Sequence, residues 1–240
     1  MTHPQLDYLV IACHPDDAEI GAGGAILSLK AQGAKVGVLD LTNGEPTPHG
    51  SPEIRQRETE AATAILGLDW RGNLGLPNRS LVADLDARRL VASAIRQLRP
   101  RVLITHYWED AHPDHVAASA LVEAARFWAK LTKTDMPAPP HYPAKILYFP
   151  SMHLPMHLKP SFVLDVTSCH ERKLEALRCY HSQFIAGRVI PTPATPGVRS
   201  SIFDDLRDRA RYWGWTVGVL YGEPFLCREE IGVRDLQQLL

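Results

Sequence analysis

The sequence predicts an α/β protein, a mostly parallel sheet with helices on both faces and a less regular C-terminal portion. Short apolar, partly β-branched runs alternate with longer helical patterns from Tyr8 to about Lys130. Each run is closed by Gly, Asn or Pro. Beyond it, proline-rich stretches at 136–143 and 190–197 interrupt the alternation and predict loops. With 240 residues, 45% hydrophobic and 22% charged, the chain suits one large core, and the expectation is a single domain spanning 1–240.

Each element has its own signal. Tyr8 to Cys13 reads as a strand, and Ile20 to Gln32 as a helix with Ile20, Ala25, Ile26 and Leu29 apolar. Lys35 to Leu41 is a second strand, closed at Asn43-Gly44. Ser51 is a good N-cap with Pro52 at N1 and Glu53 in the first turn, opening a helix through Leu66 that stops at Gly67. An extended piece follows at Trp70 to Leu74, then a helix from about Asp86 to Leu98, ended by Pro100. Val102 to Thr105 is strand, and Asp114 to Lys130 an alanine-rich helix. In the C-terminal part, strands are expected at Lys145 to Phe149 and Phe162 to Val166, with a helix from His170 to Tyr180. Strand and helix in this order imply right-handed crossovers.

Composition excludes several classes. The net charge is -1 with both signs interspersed, which argues against nucleic acid as a partner. The longest apolar runs are far too short to span a bilayer, and no secretory pattern precedes the first strand, so the expectation is a cytoplasmic protein without a membrane partner. Cys13, Cys169, Cys179 and Cys227 form no C-x-x-C pair, which suits reduced thiols.

Two clusters carry chemistry: His14-Pro15-Asp16-Asp17-Ala18-Glu19, and His112-Pro113-Asp114-His115. Each follows a predicted buried strand, at the carboxyl end where open α/β sheets place their sites. His, Asp and His with spare carboxylates nearby are what a catalytic Zn²⁺ requires: three ligands, an open position for water and a base. Adjacent Asp16 and Asp17 point in different directions, so one binds while the other faces the water. His14 and Asp17, three apart, converge if the loop turns into the next helix, and His115 completes the set from the second loop. Pro and Asp are also ordinary turn and cap residues, but two such clusters, each behind a strand, outweigh that alternative.

Other features are weaker. Gly21, Gly23 and Gly24 fail the G-x-G-x-x-G spacing at Ile26 and suit close packing of the helix against the sheet. His153 and His157 have ligand-like spacing, but Pro155 lies between them and no Glu completes a metal motif. Tyr212, Trp213 and Tyr221 are expected in the core.

Ala12 to Gly24, Leu41 to Glu45, Arg55 to Glu58, His112 to His115, His181-Ser182-Gln183 and Tyr212-Trp213-Gly214 resemble the LmbE/PIG-L family of zinc-dependent N-acetylglucosamine deacetylases. The resemblance runs over nearly the whole chain, and it is closest to the bacillithiol-biosynthesis deacetylases that act on N-acetylglucosaminyl-malate. It implies a Rossmann-like fold and a homo-oligomer, possibly a hexamer. It implies zinc ligands at His14, Asp17 and His115, a general base at Asp16, an oxyanion-stabilising His112 oriented by Asp114, and a substrate-binding Arg55. On position alone Arg55 is an exposed helix arginine beside Glu58. Where many relatives have Pro-Asp, this chain has Pro77-Asn78. The reaction expected is hydrolysis of an acetamide, with Zn²⁺ polarising the carbonyl and acidifying water, Asp16 taking the proton and protonated His112 facing the oxyanion. Rival readings are the same chemistry on a chito-oligosaccharide, a lipid-linked sugar or a thiol conjugate, a phosphoesterase, and a non-catalytic binder.

Overall fold

The structure is a computed structural model that describes residues 4–150, 152–154, 156–186, 201–233 and 235. The second proline-rich stretch, 190–197, therefore lies outside the described residues. Strands Tyr8–Ala12 (β1), Val36–Thr42 (β2), Trp70–Leu76 (β3), Val102–His106 (β4) and Lys145–Phe149 (β5) pair in the order β3-β2-β1-β4-β5. All four pairings are parallel. Every residue of β2 is buried, as is all of β1 after Tyr8, because helices cover both faces. Side-chain alternation divides the interior: Leu9 and Ile11 face one core with Val91, Ile95, Leu121 and Val122, while Val10 and Ala12 face the other with Ala22, Ile26, Leu66 and Leu174.

Four helices follow the first four strands: Asp17–Ala31 (α1), Pro52–Leu66 (α2), Leu85–Leu98 (α3) and Pro113–Ala129 (α4). The limits of α2 match their sequence signals. Ser51 Oγ accepts from the Ile54 N–H, and Gly67 leaves the helix in the left-handed region at φ 65°. The start of α1 differs from expectation by three residues. Asp16 sits at φ 121°, a conformation costly for a residue with a side chain, and this sharp bend makes Asp17 the first helical residue.

After β5 come Phe162–Asp165 (β6), His170–Arg178 (α5), His181–Phe184 (α6), Ile202–Val217 (α7) and Gly222–Phe225 (β7). Strands β6 and β7 form an antiparallel pair, tied to β5 by a bridge between Tyr148 and Leu226. Helix α7 and strand β7 are additions to the expected elements. The buried face of α7 is only the narrow row Leu206, Ala210 and Gly214, and β7 is four residues long with a proline inside. Tyr212 corrects the expectation of a core aromatic. It lies two residues past Ala210, about 200° round the helix, and is 45% exposed. Tyr221 stacks on His170 with centroids 4.0 Å apart.

The glycines of α1 do permit close packing, but their neighbours are mainly the later elements. A Cβ on Gly24 would lie 2.7 Å from Glu223 Oε1. That carboxylate accepts from the N–H groups of Gly24 and Ala25, both at 2.8 Å, and pairs with Lys173 Nζ at 2.6 Å, both charged groups being buried. Among the described residues no helix is long and apolar enough to cross a membrane. From β1 the chain runs outward to β2 and β3 on one side, and β4 and β5 lie on the other. The loops after β1 and β4 therefore meet at the switch point of the sheet, where a crevice opens.

Candidate active site

A cleft of about 260 Å³ lies at this switch point. Every strand end contributes to it: His14, Asp16 and Asp17 after β1, Gly44, Pro46 and Thr47 after β2, Asn78 and Arg79 after β3, His106 to His115 along β4 and its loop, and Phe149 to His153 after β5. Arg55 from α2 and Gln183 from α6 complete its walls.

The structure brings His14, Asp17 and His115 together on the cleft floor. Asp17 Oδ2 is 3.1 Å from His14 Nδ1 and 3.3 Å from His115 Nε2, and the two ring nitrogens are 3.3 Å apart. Four ligands held 2.0–2.1 Å from a tetrahedral ion are about 3.3–3.4 Å from one another, so this triangle fits one face of a zinc coordination shell. Proton positions support the same fit. His14 Nε2 faces the carbonyl oxygen of Asn78 at 3.0 Å, and His115 Nδ1 faces Asp110 Oδ2 at 2.8 Å. With protons on those outer nitrogens, His14 Nδ1 and His115 Nε2 turn bare lone pairs toward a carboxylate oxygen. Only a cation or an extra proton stabilises that arrangement. In its absence burial would lower His115, but Asp17 and Asp110 override it and push the imidazole up to about 10. Burial would raise Asp17, yet His115 and His106 hold it well below the usual carboxylate range.

Two neighbours border this triangle. Cys13 Sγ is 3.5 Å from the other nitrogen of His14, Nε2, and all four cysteines are free. His106 Nε2 is 3.5 Å from Asp17 Oδ2, but it accepts the Cys13 N–H at 2.9 Å, and burial first, then His115, keeps it well below the ordinary imidazole range. Among the described residues the clusters able to hold a metal are Cys13, His14 and His115, and Asp17, His106 and His115. His153 and His157 are in neither. His153 instead lines the cleft, its ring 5.4 Å from that of His115 and 5.8 Å from that of His112.

Asp16 points away from the triangle, as its strained backbone requires. Its Oδ2 accepts from Arg55 Nη2 at 3.0 Å. Burial raises its pKa and Asp17 adds to the rise, while Arg55 opposes both; the carboxyl is pushed up to about 7. Arg55 is buried rather than exposed, and its partner is not Glu58, which binds the N–H and hydroxyl of Ser182. Nε and Nη2 of Arg55 donate to Pro15 O at 3.1 and 2.5 Å. The expectation of a free two-pronged guanidinium is thereby corrected: Nη1 alone lacks a hydrogen bond, with Glu45 Oε1 4.0 Å away. Gly44 makes room for this arginine at φ 73°, since a Cβ there would come 3.0 Å from Nη2.

His112 caps α4. Its Nδ1 accepts the Asp114 N–H at 3.2 Å, leaving one ring proton, on Nε2. Burial, then His115 and His14, depress its pKa, so the imidazole is neutral rather than protonated as expected. The contact with Asp114 also runs through that backbone amide. The Asp114 carboxylate turns to the Leu81 N–H at 3.3 Å, with Oδ2 buried and unbonded 4.0 Å from His14 Nε2. Asp110, which the sequence reading passed over, holds the loop by accepting from the His112 N–H and facing His115. Its signal was a carboxylate five residues before a predicted ligand. His106 was hidden because it ends an apolar strand.

Comparison with known proteins adds independent information. The family model for PIG-L, GlcNAc-PI de-N-acetylase, matches residues 9–126, which include both clusters. The diacetylchitobiose deacetylase of Thermococcus kodakarensis is 30% identical over 191 residues, covering 73% of this chain and 69% of that protein. The probable N-acetyl-alpha-D-glucosaminyl L-malate deacetylase 2 of Bacillus cereus is 28% identical over 192 residues, covering 73% of this chain and 82% of that one. Among solved structures, the conserved protein TT1542 from Thermus thermophilus superposes with a TM-score of 0.85 at 37% identity, over 95% of this chain and 97% of that one.

Proposed function

This chain belongs to the PIG-L family of N-acetylglucosamine deacetylases, and from that premise we propose that it hydrolyses the N-acetyl group of an N-acetylglucosaminyl conjugate, foremost N-acetylglucosaminyl-malate. The observation that carries the reading is the convergence of His14 Nδ1, Asp17 Oδ2 and His115 Nε2 beside the separate carboxylate of Asp16, all opening into one cleft. These three side chains would hold Zn²⁺ or another divalent transition ion. When bound, the ion supplies a Lewis acid for the acetamide carbonyl and lowers the pKa of water to about 7.

The remaining steps fall to the chain's own groups. Asp16, ionised above about 7, takes the water proton as the nucleophile forms. Neutral His112 turns its Nε2–H to the oxyanion, for which a charged imidazolium is not required. A neutral His112 has no spare proton for the departing amine, which favours Asp16 returning the one it took. Arg55 fixes Asp16 and Pro15 and keeps one N–H, on Nη1, for a substrate oxygen. Acetate and the free amine of the sugar are the products.

The malate conjugate is supported by the similarity to the Bacillus cereus protein and by Arg55 and Arg79 on the cleft wall. The assay is acetate release from N-acetylglucosaminyl-malate, diacetylchitobiose, N-acetylglucosamine and a phosphoester under one set of conditions. Highest kcat/KM on the malate conjugate is expected. Preference for diacetylchitobiose would reassign the substrate and leave the chemistry standing; phosphoester turnover alone would remove both. A homo-oligomer, up to the hexamer implied by resemblance, is checked by sedimentation.

A further inference from the structure

We propose that Asn78 is a positioning residue that presents His14 to a divalent cation through Nδ1 alone; the proposal rests on the metal-site reading above. Asn78 Oδ1 accepts the backbone N–H of Arg79 at 2.9 Å and lies 3.0 Å from His14 Nε2. A backbone N–H can only donate, so the shared atom is the carboxamide oxygen and not its nitrogen. An oxygen already accepting one hydrogen bond can only accept from the ring as well, which places the His14 proton on Nε2. A neutral imidazole has one proton. Nδ1 is then bare, and Nδ1 is the atom 3.1 Å from Asp17 Oδ2 and 3.3 Å from His115 Nε2.

No other acceptor near His14 Nε2 does this as well. Asp114 Oδ2, at 4.0 Å, is beyond hydrogen-bond reach, and Cys13 Sγ, at 3.5 Å, is a weak acceptor. The two ligand histidines are thus oriented by different means. Asp110 backs His115 with a carboxylate, whereas Asn78 backs His14 with a neutral amide, which fixes the tautomer without adding negative charge. Arg79, in the left-handed region at φ 63°, turns the loop so that its N–H meets the same oxygen and holds it in place.

The test is zinc affinity measured by competition with a chromophoric chelator, with Co²⁺ absorption as a second reading of ligand geometry. Loss of a hydrogen-bond partner behind a ligand histidine costs about 10- to 100-fold in metal affinity. Asn78→Ala is expected to show that loss together with an altered Co²⁺ spectrum. Asn78→Asp, which keeps the acceptor and adds charge, is expected to bind zinc at least as tightly as wild type with a restored spectrum. Where Asn78→Ala also lowers the melting midpoint, Asn78→Asp decides the matter, since it preserves both hydrogen bonds of the loop. Unchanged affinity in Asn78→Ala, or an Asn78→Asp protein as weak as Asn78→Ala, would overturn the proposal. His14→Ala separates the two layers of inference. If it loses zinc while Asn78→Ala binds normally, only the role of Asn78 fails; if it binds zinc like wild type, the metal site itself is wrong.

Discussion

Removing Arg55 tests how the base is tuned. Its guanidinium is buried, lies 3.0 Å from Asp16 Oδ2, and is the principal group opposing the burial that lifts this carboxyl toward 7. A charge-assisted hydrogen bond of this kind is worth about 1.5–3 kcal/mol, which is about one to two pKa units. Arg55→Met keeps most of the side-chain volume and takes away the charge, so the pKa of Asp16 is expected to rise by that amount. The sign follows from the role: the base acts ionised, so activity climbs as pH rises through its pKa, and a higher pKa moves the acidic limb of log kcat/KM upward. On that limb, at least one pH unit below the wild-type midpoint, the variant is expected to be slower by roughly 10- to 150-fold, and the gap closes at alkaline pH. A bound cation shifts both midpoints down and leaves their separation. The assay is acetate release across pH 5.5 to 9.5 in wild type and variant, with zinc content checked at each end. A uniform loss at every pH, with no displacement of the limb, would refute the reasoning and leave Arg55 as a group that binds substrate through Nη1 or simply holds the loop. Substrate choice sharpens this. Tuning of Asp16 penalises N-acetylglucosamine and its malate conjugate alike, whereas a contact to malate penalises only the conjugate.

Asp16→Asn is expected to retain zinc near stoichiometry by elemental analysis while kcat falls about 10²- to 10⁴-fold; normal turnover would remove Asp16 from the role of base. Metal affinity is expected to rise with pH, because the cation must displace the proton that Asp17 and Asp110 hold on His115 up to about pH 10. Near neutrality the slope approaches tenfold per unit in chelator competition, and a flat profile between pH 6.5 and 8.5 would contradict it. Lys173→Met leaves Glu223 buried without its cation and is expected to cost about 3–5 kcal/mol, near 6–10 °C in melting midpoint for a chain of 240 residues. Calorimetry of the Lys173→Met/Glu223→Leu double variant checks the cause, since removing both charges is expected to recover part of the loss.

Much of this protein was legible from local pattern. Apolar runs and their punctuation marked all five parallel strands, and Ser51, Pro52 and Gly67 marked the ends of α2, because these signals act between residues a few positions apart. The spacing of His14 and Asp17, and the placing of His115 behind a second strand, pointed to one centre for the same reason: a parallel sheet gathers its strand ends on one rim. Helix α7 escaped because its buried row is narrow, and His106 because a histidine ending an apolar run looks like the end of a strand and nothing more. What only the tertiary structure decided is where the protons and charges lie. Arg55 is buried against Asp16 from 39 residues away, His14 owes its tautomer to Asn78 from 64 residues away, and His115 meets His14 across 101. A residue's type and spacing fix what its side chain can donate or accept, but its ionisation and tautomer follow from burial and from partners that the fold alone brings within 3 Å or so, and no local signal along the chain encodes those.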